Sequence, residues 1–528
     1  MSFRNRLKTI IGDDATVLSA TSRLLFYIKT SDILHKAVAK VLGTEKQQHT
    51  FNPIATDAAT IRQYEEQAKT FQHTIHFHIL IHGKQLQQVT QTKASIEQQL
   101  GQGFVFSLYT EAHTLPSAIS STHYALFLEA GDELSKDALM CITQYLNNVP
   151  ALPLCVYFDS FNSRERLTVK RYVWSPDTLL NHNYINNACV FRLDGISIQP
   201  ADSSAYVRCY QLLLESAKIE KPQILPLVLL NEQKEKSSND EGDKLIIENW
   251  IQQEKLPVWL LPGNSKEDFY VQYTVSGNPL VSIVIPTKNK SELVKQCVDS
   301  IIQKSTYRNV EIILVDNRSD EKELFALVEQ YQQQITFKHV RADIDFNFSA
   351  LMNIGSEQAS GSFLVLLNND TEIITPQWLE YLLGYAQQKH VGAVGCKLLY
   401  PNYIIQHAGV VVDKKVISKH IYMGEDRYAL GTNRVANYPA VTAACLMIEK
   451  QKLTSVGGFD EQFNVEYNDI DLCLSLRKAG YHNVYLPQVE LFHYESASRR
   501  HPFSDRKNHE RHLKETLLMK DKWKELFA

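Results

Sequence analysis

The sequence lacks several features that would direct it to other classes of protein. Its eight cysteines are scattered without a Cys-x-x-Cys pair, which favours reduced thiols and disfavours a disulfide framework or a zinc site. No run reaches the roughly 18 apolar residues that a membrane-spanning helix needs, and the N-terminus lacks the pattern of a signal peptide. The net charge of −4 disfavours a dedicated nucleic-acid binder. We therefore expect a cytoplasmic protein with no nucleic-acid partner.

The chain has 528 residues, which is too long for one ordinary hydrophobic core. Its patterning predicts a helical segment at 1–70, an α/β domain at 71–225, a linker region at 226–279, a second α/β domain at 280–500 and a basic helix at 501–528. The apolar periodicity of the first segment favours a packed pair of helices, with an amphipathic helix on a membrane surface as the alternative. The polar run 231–244 predicts a solvated loop or hinge inside the linker.

A strand, an acidic turn and a helix follow one another twice in the chain. The first copy covers residues 124–146 with Asp132 in the turn, and the second covers 364–383 with Asp370 in the turn. We interpret the pair as an internal repeat of an α/β unit of roughly 200 residues.

The second α/β domain begins with a strand, a helix and a strand at the spacing of a parallel unit. Residues 281–286 are rich in β-branched side chains, and residues 311–315 form a similar run that ends at Asp316. A right-handed crossover between parallel strands brings the loops at their carboxyl ends together, as in ligand-binding α/β folds. Asp316 could therefore contact a nucleobase or ribose, and capping of the following helix is the alternative.

Residues 364–370 read Leu-Val-Leu-Leu-Asn-Asn-Asp, an apolar strand that ends in two amides and a carboxylate. Such an ending places an oxygen ligand at the edge of a sheet, where α/β proteins bind ligands. A turn or helix cap made by Asp370 is the alternative interpretation.

Several motifs in the second domain occur together in one known family. They are 286–289 (Pro-Thr-Lys-Asn), 315–317 (Val-Asp-Asn), 346–349 (Phe-Asn-Phe-Ser), 367–370 (Leu-Asn-Asn-Asp), 406–409 (Gln-His-Ala-Gly), 442–445 (Thr-Ala-Ala-Cys), 457–460 (Gly-Gly-Phe-Asp), 468–473 (Asn-Asp-Ile-Asp-Leu-Cys) and 493–496 (His-Tyr-Glu-Ser). In this order, residues 281–498 resemble a family 2 glycosyltransferase with the GT-A fold, a Rossmann-like α/β fold with a mixed, mostly parallel sheet. Within the family they are similar to bacterial rhamnosyltransferase-like enzymes that build O-antigen and capsule.

The resemblance implies a role for each motif. It makes Asp370 and His493 ligands of a divalent cation, Mg²⁺ or Mn²⁺, and it makes Asp469 the general base that accepts the acceptor's proton. The residues that it places around the nucleotide-sugar donor are Pro286, Thr287, Asn289, Asp316, Asn353, Asn368 and Asn369. Family members often carry a second acid where this chain has Asn368 and Asn369, which predicts weaker metal binding here.

Some neighbouring residues are given lesser roles. Arg341 and Asp343 are expected near the ribose or diphosphate, and Glu466 is a weaker candidate for contact with the acceptor. Asp471 is expected to pair with Arg477 or to support its loop, because it lies two residues from Asp469 and cannot share its helix face. The motifs at 406–409 and 442–444 are expected to form the wall of the donor-sugar and acceptor pocket.

The first domain resembles a degenerate copy of the same fold. Its first strand ends in His82-Gly83-Lys84 instead of a Pro-Thr-x-Asn turn, and it shows no counterpart of the Asp469 helix or of His493. Asp132 could hold a metal, but its partners are missing. We expect this domain to be structural or to bind the acceptor, and a second active transferase is the alternative.

The basic tail has two interpretations. A helical apolar stripe runs through it, which favours a solvated helix packed on the second domain. Its lysines and arginines favour contact with anionic lipid or with a lipid-diphosphate acceptor. Arg499 and Arg500 could also reach the oxygens of a diphosphate.

The sequence therefore predicts an inverting, metal-dependent glycosyltransferase at the cytoplasmic face of the inner membrane. It would move a sugar from a nucleoside-diphosphate sugar, dTDP-rhamnose or a UDP-hexose, to a lipid-linked or polysaccharide acceptor. A catalytically silent glycan-binding scaffold and a transferase with two active halves are the alternatives. A nucleotidyltransferase is disfavoured, because residues 287–290 lack the glycines of a phosphate-binding loop.

Overall fold

The computed structural model describes residues 62–63, 66–110, 120–163, 167–169, 173–195, 204–233, 240–263, 269–412, 417–429, 431–494 and 506–527. These residues form two compact units, which are described separately here. The first unit runs from residue 62 to 256 and the second covers most of the chain from 257 onward. The predicted helical segment 1–70 lies outside the described residues apart from its last few positions.

The first unit contains eight strands and five α-helices within its described residues. Its strands are β1 (Ile75–His82), β2 (Phe104–Thr110), β3 (His123–Glu129), β4 (Glu133–Leu134), β5 (Cys155–Asn162), β6 (Leu167–Val169), β7 (Cys189–Arg192) and β8 (Gln223–Glu232). Its helices are α1 (Leu86–Glu97), α2 (Ala138–Asn148), α3 (Pro176–Asn181), α4 (Ala205–Ile219) and α5 (Asp240–Glu254).

The second unit holds the predicted site. Its strands are β9 (Val258–Pro262), β10 (Phe269–Tyr273), β11 (Val281–Thr287), β12 (Val310–Asp316), β13 (Phe337–Arg341), β14 (Phe363–Leu367), β15 (Thr371–Ile373), β16 (Val391–Leu399), β17 (Ile405–His407), β18 (Val410–Val411), β19 (Lys419–His420), β20 (Ala436–Tyr438), β21 (Cys445–Glu449) and β22 (His482–His493). Its helices are α6 (Ser291–Lys304), α7 (Lys322–Gln332), α8 (Phe348–Gln358), α9 (Trp378–Ala386), α10 (Lys450–Ser455), α11 (Asn468–Lys478), α12 (Arg506–Lys522) and α13 (Lys524–Phe527).

The main sheets of the two units have the same strand order and orientation. The first runs β2-β1-β3-β7-β5-β8-β4 and the second runs β12-β11-β14-β21-β16-β22-β15, with β13 added beyond β12. In each sheet, three parallel strands are followed by one antiparallel strand, then by two strands that run in the direction of the first three, and finally by a short antiparallel edge strand. This correspondence is what an internal repeat of a mixed, mostly parallel α/β unit requires.

The parallel strands of the second unit bring their carboxyl ends to one edge, as predicted. β11 pairs in parallel with β12 on one side and with β14 on the other. β-branched and leucine side chains fill these strands because both faces of the sheet are covered. α8 lies so close to β11 that a Cβ on Gly355 would fall 2.3 Å from Val284.

The predicted linker region is wrong in its boundaries. β8 is an integral strand of the first sheet, and α5 begins at Asp240, inside the run 231–244 that we expected to be a solvated loop. Residues 234–239 of that run lie outside the described residues. β9 and β10 pair with each other and belong to the second unit, apart from Phe269 at the start of β10. The part of the chain between 226 and 279 therefore contains structural elements of both units.

The cysteine and membrane expectations have simple structural counterparts. All eight cysteines are buried, and none of them forms a disulfide. None of the described helices is both long and apolar enough to cross a membrane.

Candidate active site

The pairing of two strands places Asp370 beside His493. Asp370 lies in the turn between β14 and β15, and the next residue, Thr371, is directly opposite His493 in the antiparallel ladder of β15 and β22. The backbone N–H of Tyr494 also donates to the carbonyl of Asp370 at 2.9 Å. Oδ1 of Asp370 and Nε2 of His493 consequently lie 3.2 Å apart, and both side chains are buried.

The hydrogen bonds around His493 leave a lone pair on Nε2. Nδ1 donates to Oε1 of Gln406 at 2.6 Å, which fixes the tautomer. Nε2 then acts as an acceptor, and the amide of Asn368 lies 3.2 Å from it. Oδ1 of Asp370 accepts no hydrogen bond although it is buried. When the imidazole is neutral, its Nε2 lone pair therefore lies 3.2 Å from Oδ1 of Asp370.

This arrangement suits a divalent cation. Two cis ligands at Mg²⁺ or Mn²⁺ distances lie about 3 Å apart, which is close to the observed separation. No group of three His, Cys, Asp or Glu side chains that could hold a metal occurs among the described residues. A cation here would therefore take two ligands from the protein and leave positions for ligands from a substrate or water.

Hydrogen bonds join the loops after β11 and β12 to each other and to the turn that carries Asp370. The amide of Asn369 donates to Thr287 Oγ1 at 2.9 Å. Asn289 adopts a left-handed backbone conformation, with φ 56°, and its side-chain oxygen accepts from the backbone N–H groups of Asp320 and Glu321. Thr287, Asn289 and Asn369 are thus held at one edge of the sheet, and Pro286 lies at the same end of β11.

Asp316 organises these loops from inside. Its carboxylate is fully buried and contacts the backbone N–H of Ser319, Nε2 of His339 and a guanidinium N–H of Arg341. Burial alone would raise the pKa of Asp316, but these hydrogen bonds and the charge of Arg341 hold it below its ordinary value. The expected contact with a nucleobase or ribose is therefore corrected, since the carboxylate positions His339 and Arg341 and has no exposed surface.

Asn353 does not serve the donor loops. Its amide nitrogen donates to the carbonyl of Phe459 and to Glu461, and its oxygen accepts from the N–H of Phe459. The turn at Gly458 leaves no room between them, because a Cβ on that glycine would lie 2.8 Å from the Asn353 oxygen. The predicted donor contact is wrong, and Asn353 holds the turn that precedes α11.

Asp469 lies in the first turn of α11 and faces the pocket that also contains His493. One carboxylate oxygen accepts from the N–H of Ala443 at 3.1 Å and the other from the N–H of Ile470 at 2.9 Å. The pocket has a volume of about 300 Å³, and Asn368, His407, Glu466, Asp469 and His493 are among its lining residues. The structure therefore brings His493 and Asp469 to one cavity, and Asp370 lies directly beside His493.

Two neighbouring acids, Asp471 and Asp343, have partners within the protein. Asp471 is buried and contacts Nζ of Lys522 at 2.9 Å and the indole N–H of Trp523 at 2.8 Å, so its predicted pairing with Arg477 is wrong. Asp343 pairs with the exposed guanidinium of Arg318 at 2.5 Å. Arg499 and Arg500 lie outside the described residues.

Comparison with known proteins identifies the family. A family model described as "Glycosyl transferase family 2" matches residues 282–411, which run from β11 into β18 and include the Asp370 turn. The O-antigen biosynthesis protein RfbC of Myxococcus xanthus is 41% identical over 237 residues, which are 44% of this chain and 18% of RfbC.

Residues 282–411 of the second unit form a glycosyltransferase family 2 domain.

The matches cover only part of the longer proteins. The uncharacterised protein y4gI of Sinorhizobium fredii is 32% identical over 429 residues, which are 76% of this chain and 47% of y4gI. The chain thus spans about half of y4gI and less than a fifth of RfbC. A crystal structure of GalNAc-T7 with UDP, GalNAc and Mn²⁺ aligns over 44% of this chain and 46% of its own, at 16% identity and a TM-score of 0.37, which is too low to carry an argument.

The first unit repeats the transferase sheet without its site. Asp132 occupies the position of Asp370, directly before the short edge strand, but its carboxylate accepts hydrogen bonds from Asn187 and from the N–H groups of Glu129 and Gln233. Burial raises the pKa of Asp132 to about 7. In the ladder of β4 and β8, Asn231 stands where the transferase unit has His493. The helix α4 has no acid in its first turn.

Two residues of the transferase pocket, Gln406 and His407, make contacts that the sequence did not indicate. Gln406 orients His493, and its motif had suggested only a wall. His407 is fully buried, its Nδ1 lies 3.0 Å from Nδ1 of His420, and its Nε2 has no hydrogen-bond partner. Burial, with the neighbouring His420 and His493, lowers the pKa of His407 well below its ordinary value, so the ring is neutral. Only its place in the 406–409 motif pointed toward the pocket.

Replacing His493 should weaken Mn²⁺ binding. We expect His493→Ala to raise the Mn²⁺ concentration for half-maximal activity by at least about tenfold, because one of two protein ligands is lost. The Mn²⁺ affinity, read from the free-ion signal in electron paramagnetic resonance with a nucleoside diphosphate present, should fall in parallel. His390→Ala, a histidine change outside the pocket, is the control. Unchanged titrations for His493→Ala would reject the ligand role.

Replacing the two equivalent aspartates should distinguish the units. Asp370→Asn should lower sugar transfer by roughly 10²-fold or more, because the cation loses its one ionic ligand. Asp132→Asn should leave transfer within about twofold, because its carboxylate only holds local hydrogen bonds. Both are measured as released nucleoside diphosphate at saturating donor. Loss of all activity in Asp132→Asn alone, with a folded protein, would place chemistry in the first unit.

Proposed function

We propose that the protein is an inverting, divalent-cation-dependent glycosyltransferase, with its chemistry in the second unit. The observation that carries the proposal is the shared pocket, which places His493, paired with Asp370, and Asp469 around one cavity. The family match supports sugar transfer, and the donor, acceptor, stereochemistry and metal requirement are the proposed details.

Departure of a nucleoside diphosphate creates negative charge that must be stabilised. A divalent cation bound to Oδ1 of Asp370 and Nε2 of His493 would neutralise that charge. Gln406 keeps the lone pair of Nε2 directed at this position, and the amide of Asn368 limits how the imidazole can turn. Thr287 and Asn369, joined at 2.9 Å, place the loop after β11 next to the same turn, where the diphosphate would lie.

Asp469 is the proposed general base. The bond from the anomeric carbon to the diphosphate oxygen breaks while the acceptor oxygen bonds to that carbon from the opposite face, which inverts the configuration. The hydroxyl proton passes to the Asp469 carboxylate. Two backbone N–H groups, from Ala443 and Ile470, fix its orientation and leave lone pairs for the incoming proton.

The donor is proposed to be dTDP-rhamnose or a UDP-hexose. The sugar would lie between the diphosphate site and Asp469, beside the small side chains of Ala443 and Ala444, which line the pocket. The unpartnered Nε2 of His407 is placed to hydrogen-bond a sugar hydroxyl, because a buried polar atom without a partner is unfavourable.

The acceptor is proposed to be a lipid-linked or growing surface polysaccharide, in line with the similarity to the O-antigen biosynthesis protein RfbC. We place the protein in the cytoplasm, at the inner face of the inner membrane. α12 supports this placement, because Leu513 and Leu517 are exposed on it and Lys514 and Lys520 lie beside them.

The first unit is proposed to be non-catalytic and to have a structural or acceptor-binding role. Its aspartate is hydrogen-bonded internally, and both its histidine and its base are missing. These observations disfavour a transferase with two active halves.

Removal of the base should lower turnover without weakening donor binding. Asp469→Asn should cut kcat by roughly 10²-fold or more, because an amide cannot accept the hydroxyl proton. The dissociation constant of the nucleoside diphosphate, measured by calorimetry, should change by less than about twofold. Glu466→Gln, which alters the other pocket carboxylate, should lower kcat far less. Unchanged turnover in Asp469→Asn would move the base elsewhere.

Binding of the donor nucleotide should depend on the cation. We expect calorimetry with UDP or dTDP to give at least about tenfold tighter binding when Mn²⁺ or Mg²⁺ is present, because the cation bridges the diphosphate to Asp370 and His493. Absent or metal-independent binding would instead favour a catalytically silent glycan-binding scaffold.

A further inference from the structure

The segment that carries Asp469 is held by the C-terminal helix. We call residues 460–471 the base loop. Residues 463 and 464 are fastened by α8, through Ser349 and the backbone N–H of Phe348. The part nearest to Asp469 is fastened instead by α12 and by Trp523, which follow it by about fifty positions.

Glu515 makes the central contact. The residue is 2% exposed. One oxygen of its carboxylate accepts from the backbone N–H of Glu466 at 2.6 Å and from that of Val465 at 3.3 Å. Burial raises the pKa of Glu515, and these two hydrogen bonds oppose the shift. Burying a carboxyl group is unfavourable unless hydrogen bonds compensate for the lost water. Here two backbone N–H groups of the base loop supply those hydrogen bonds, so Glu515 and the loop are held together.

The start of α11 depends on outside support. Tyr467, the residue before the helix, has φ 60°, a left-handed conformation that is unfavourable for a side chain with a Cβ. It makes no side-chain capping hydrogen bond to the helix. Its hydroxyl instead pairs with Thr516 Oγ1 at 3.1 Å, one residue after Glu515. Two consecutive residues of α12, Glu515 and Thr516, thus contact the segment 465–467, which directly precedes α11.

Contacts on the other side of Asp469 complete the support. Lys522 bridges Asp460 and Asp471 at 2.8 and 2.9 Å, and the indole of Trp523 donates to Asp471 at 2.8 Å. Met519 is fully buried in the core cluster that also contains residues of α8 and α11. The helix is therefore docked by apolar burial and by polar contacts at both ends of the base loop.

We propose that Glu515 is a positioning residue for the transfer reaction, and that docking of α12 sets the position of Asp469. This inference rests on the proposed role of Asp469 as the base. Glu515 touches no reacting atom and acts through the backbone of Val465 and Glu466. The consequence is that the chemical step, and not donor binding, depends on a helix outside the sheet.

The test is a double-mutant cycle between Glu515 and Asp469. Glu515→Ala should lower kcat by at least about tenfold, because a small displacement of a catalytic base slows proton transfer strongly. Nucleoside diphosphate affinity and the Mn²⁺ requirement should stay within about twofold of the unmodified protein. Glu515→Gln should recover most of the activity, since its amide oxygen can still accept both N–H groups. Asp521→Ala, an exposed acid on the same helix, is the control and should not change kcat.

The cycle separates this proposal from the function beneath it. If Glu515 acts through Asp469, then Glu515→Ala should cause no further loss of kcat in the Asp469→Asn background. Full, additive loss in that background, or equal losses in donor affinity and kcat, would overturn the positioning role. Unchanged turnover in Asp469→Asn alone would instead overturn the base assignment.

A milder variant keeps the test usable if Glu515→Ala does not fold. Thr516→Val removes only the hydroxyl that pairs with Tyr467, and we expect a smaller fall in kcat in the same direction with donor affinity retained. A thermal melt confirms folding of each variant. If Glu515→Ala does not fold, an unchanged kcat for folded Thr516→Val would contradict the proposal.

Discussion

The candidate site depends on the facing pair of Asp370 and His493. The register of β15 against β22 brings the two side chains together, and the Gln406 contact orients the imidazole of His493 with Nε2 toward Asp370. Oδ1 of Asp370 lies 3.2 Å from Nε2 and accepts no hydrogen bond although it is buried. This pair is the basis of the proposal that a divalent cation binds at this edge of the sheet.

The two units show how little of this site belongs to the fold. Their sheets have the same order and directions, and both place an aspartate before the short edge strand. In the first unit Asn187 and two backbone N–H groups satisfy that aspartate, and Asn231 replaces the histidine. The difference between the proposed metal-binding edge and a structural one therefore rests on a few side chains, and function must be argued from the site.

Much of the fold of the second unit could be predicted from the sequence. Apolar, β-branched runs marked β11, β12 and β14, and their spacing predicted a parallel arrangement that the structure has. The linker prediction failed from residue 240 onward, because the polar composition of 240–244 was taken to exclude a helix. A helix needs only one apolar face, and α5 buries Ile247 and Trp250.

The candidate site was predictable where a motif carried it and not where a distant contact did. His493 and Asp469 line one pocket and Asp370 lies beside His493, and their chemical roles stay proposals. Asp316 and Asn353 were misplaced, because an amide or a carboxylate at a loop can hold backbone as readily as it holds a ligand.

The contacts of Glu515 and of Asp471 with their partners span about fifty residues. No local pattern reveals which face of a basic helix will dock on which loop. The apolar stripe of the tail predicted a helix packed on the second domain, but it did not indicate where the buried Glu515 and Met519 would make their contacts. Such contacts follow from packing of the whole unit and are visible only in three dimensions.

The most direct test of the central claim is anomalous diffraction from crystals soaked with Mn²⁺ and UDP or dTDP. We predict one manganese peak within ligand distance of Oδ1 of Asp370 and Nε2 of His493, with the diphosphate completing its shell and the Asp469 carboxylate facing the space beyond the diphosphate. A nucleotide bound elsewhere, or a manganese peak that involves neither side chain, would contradict the account.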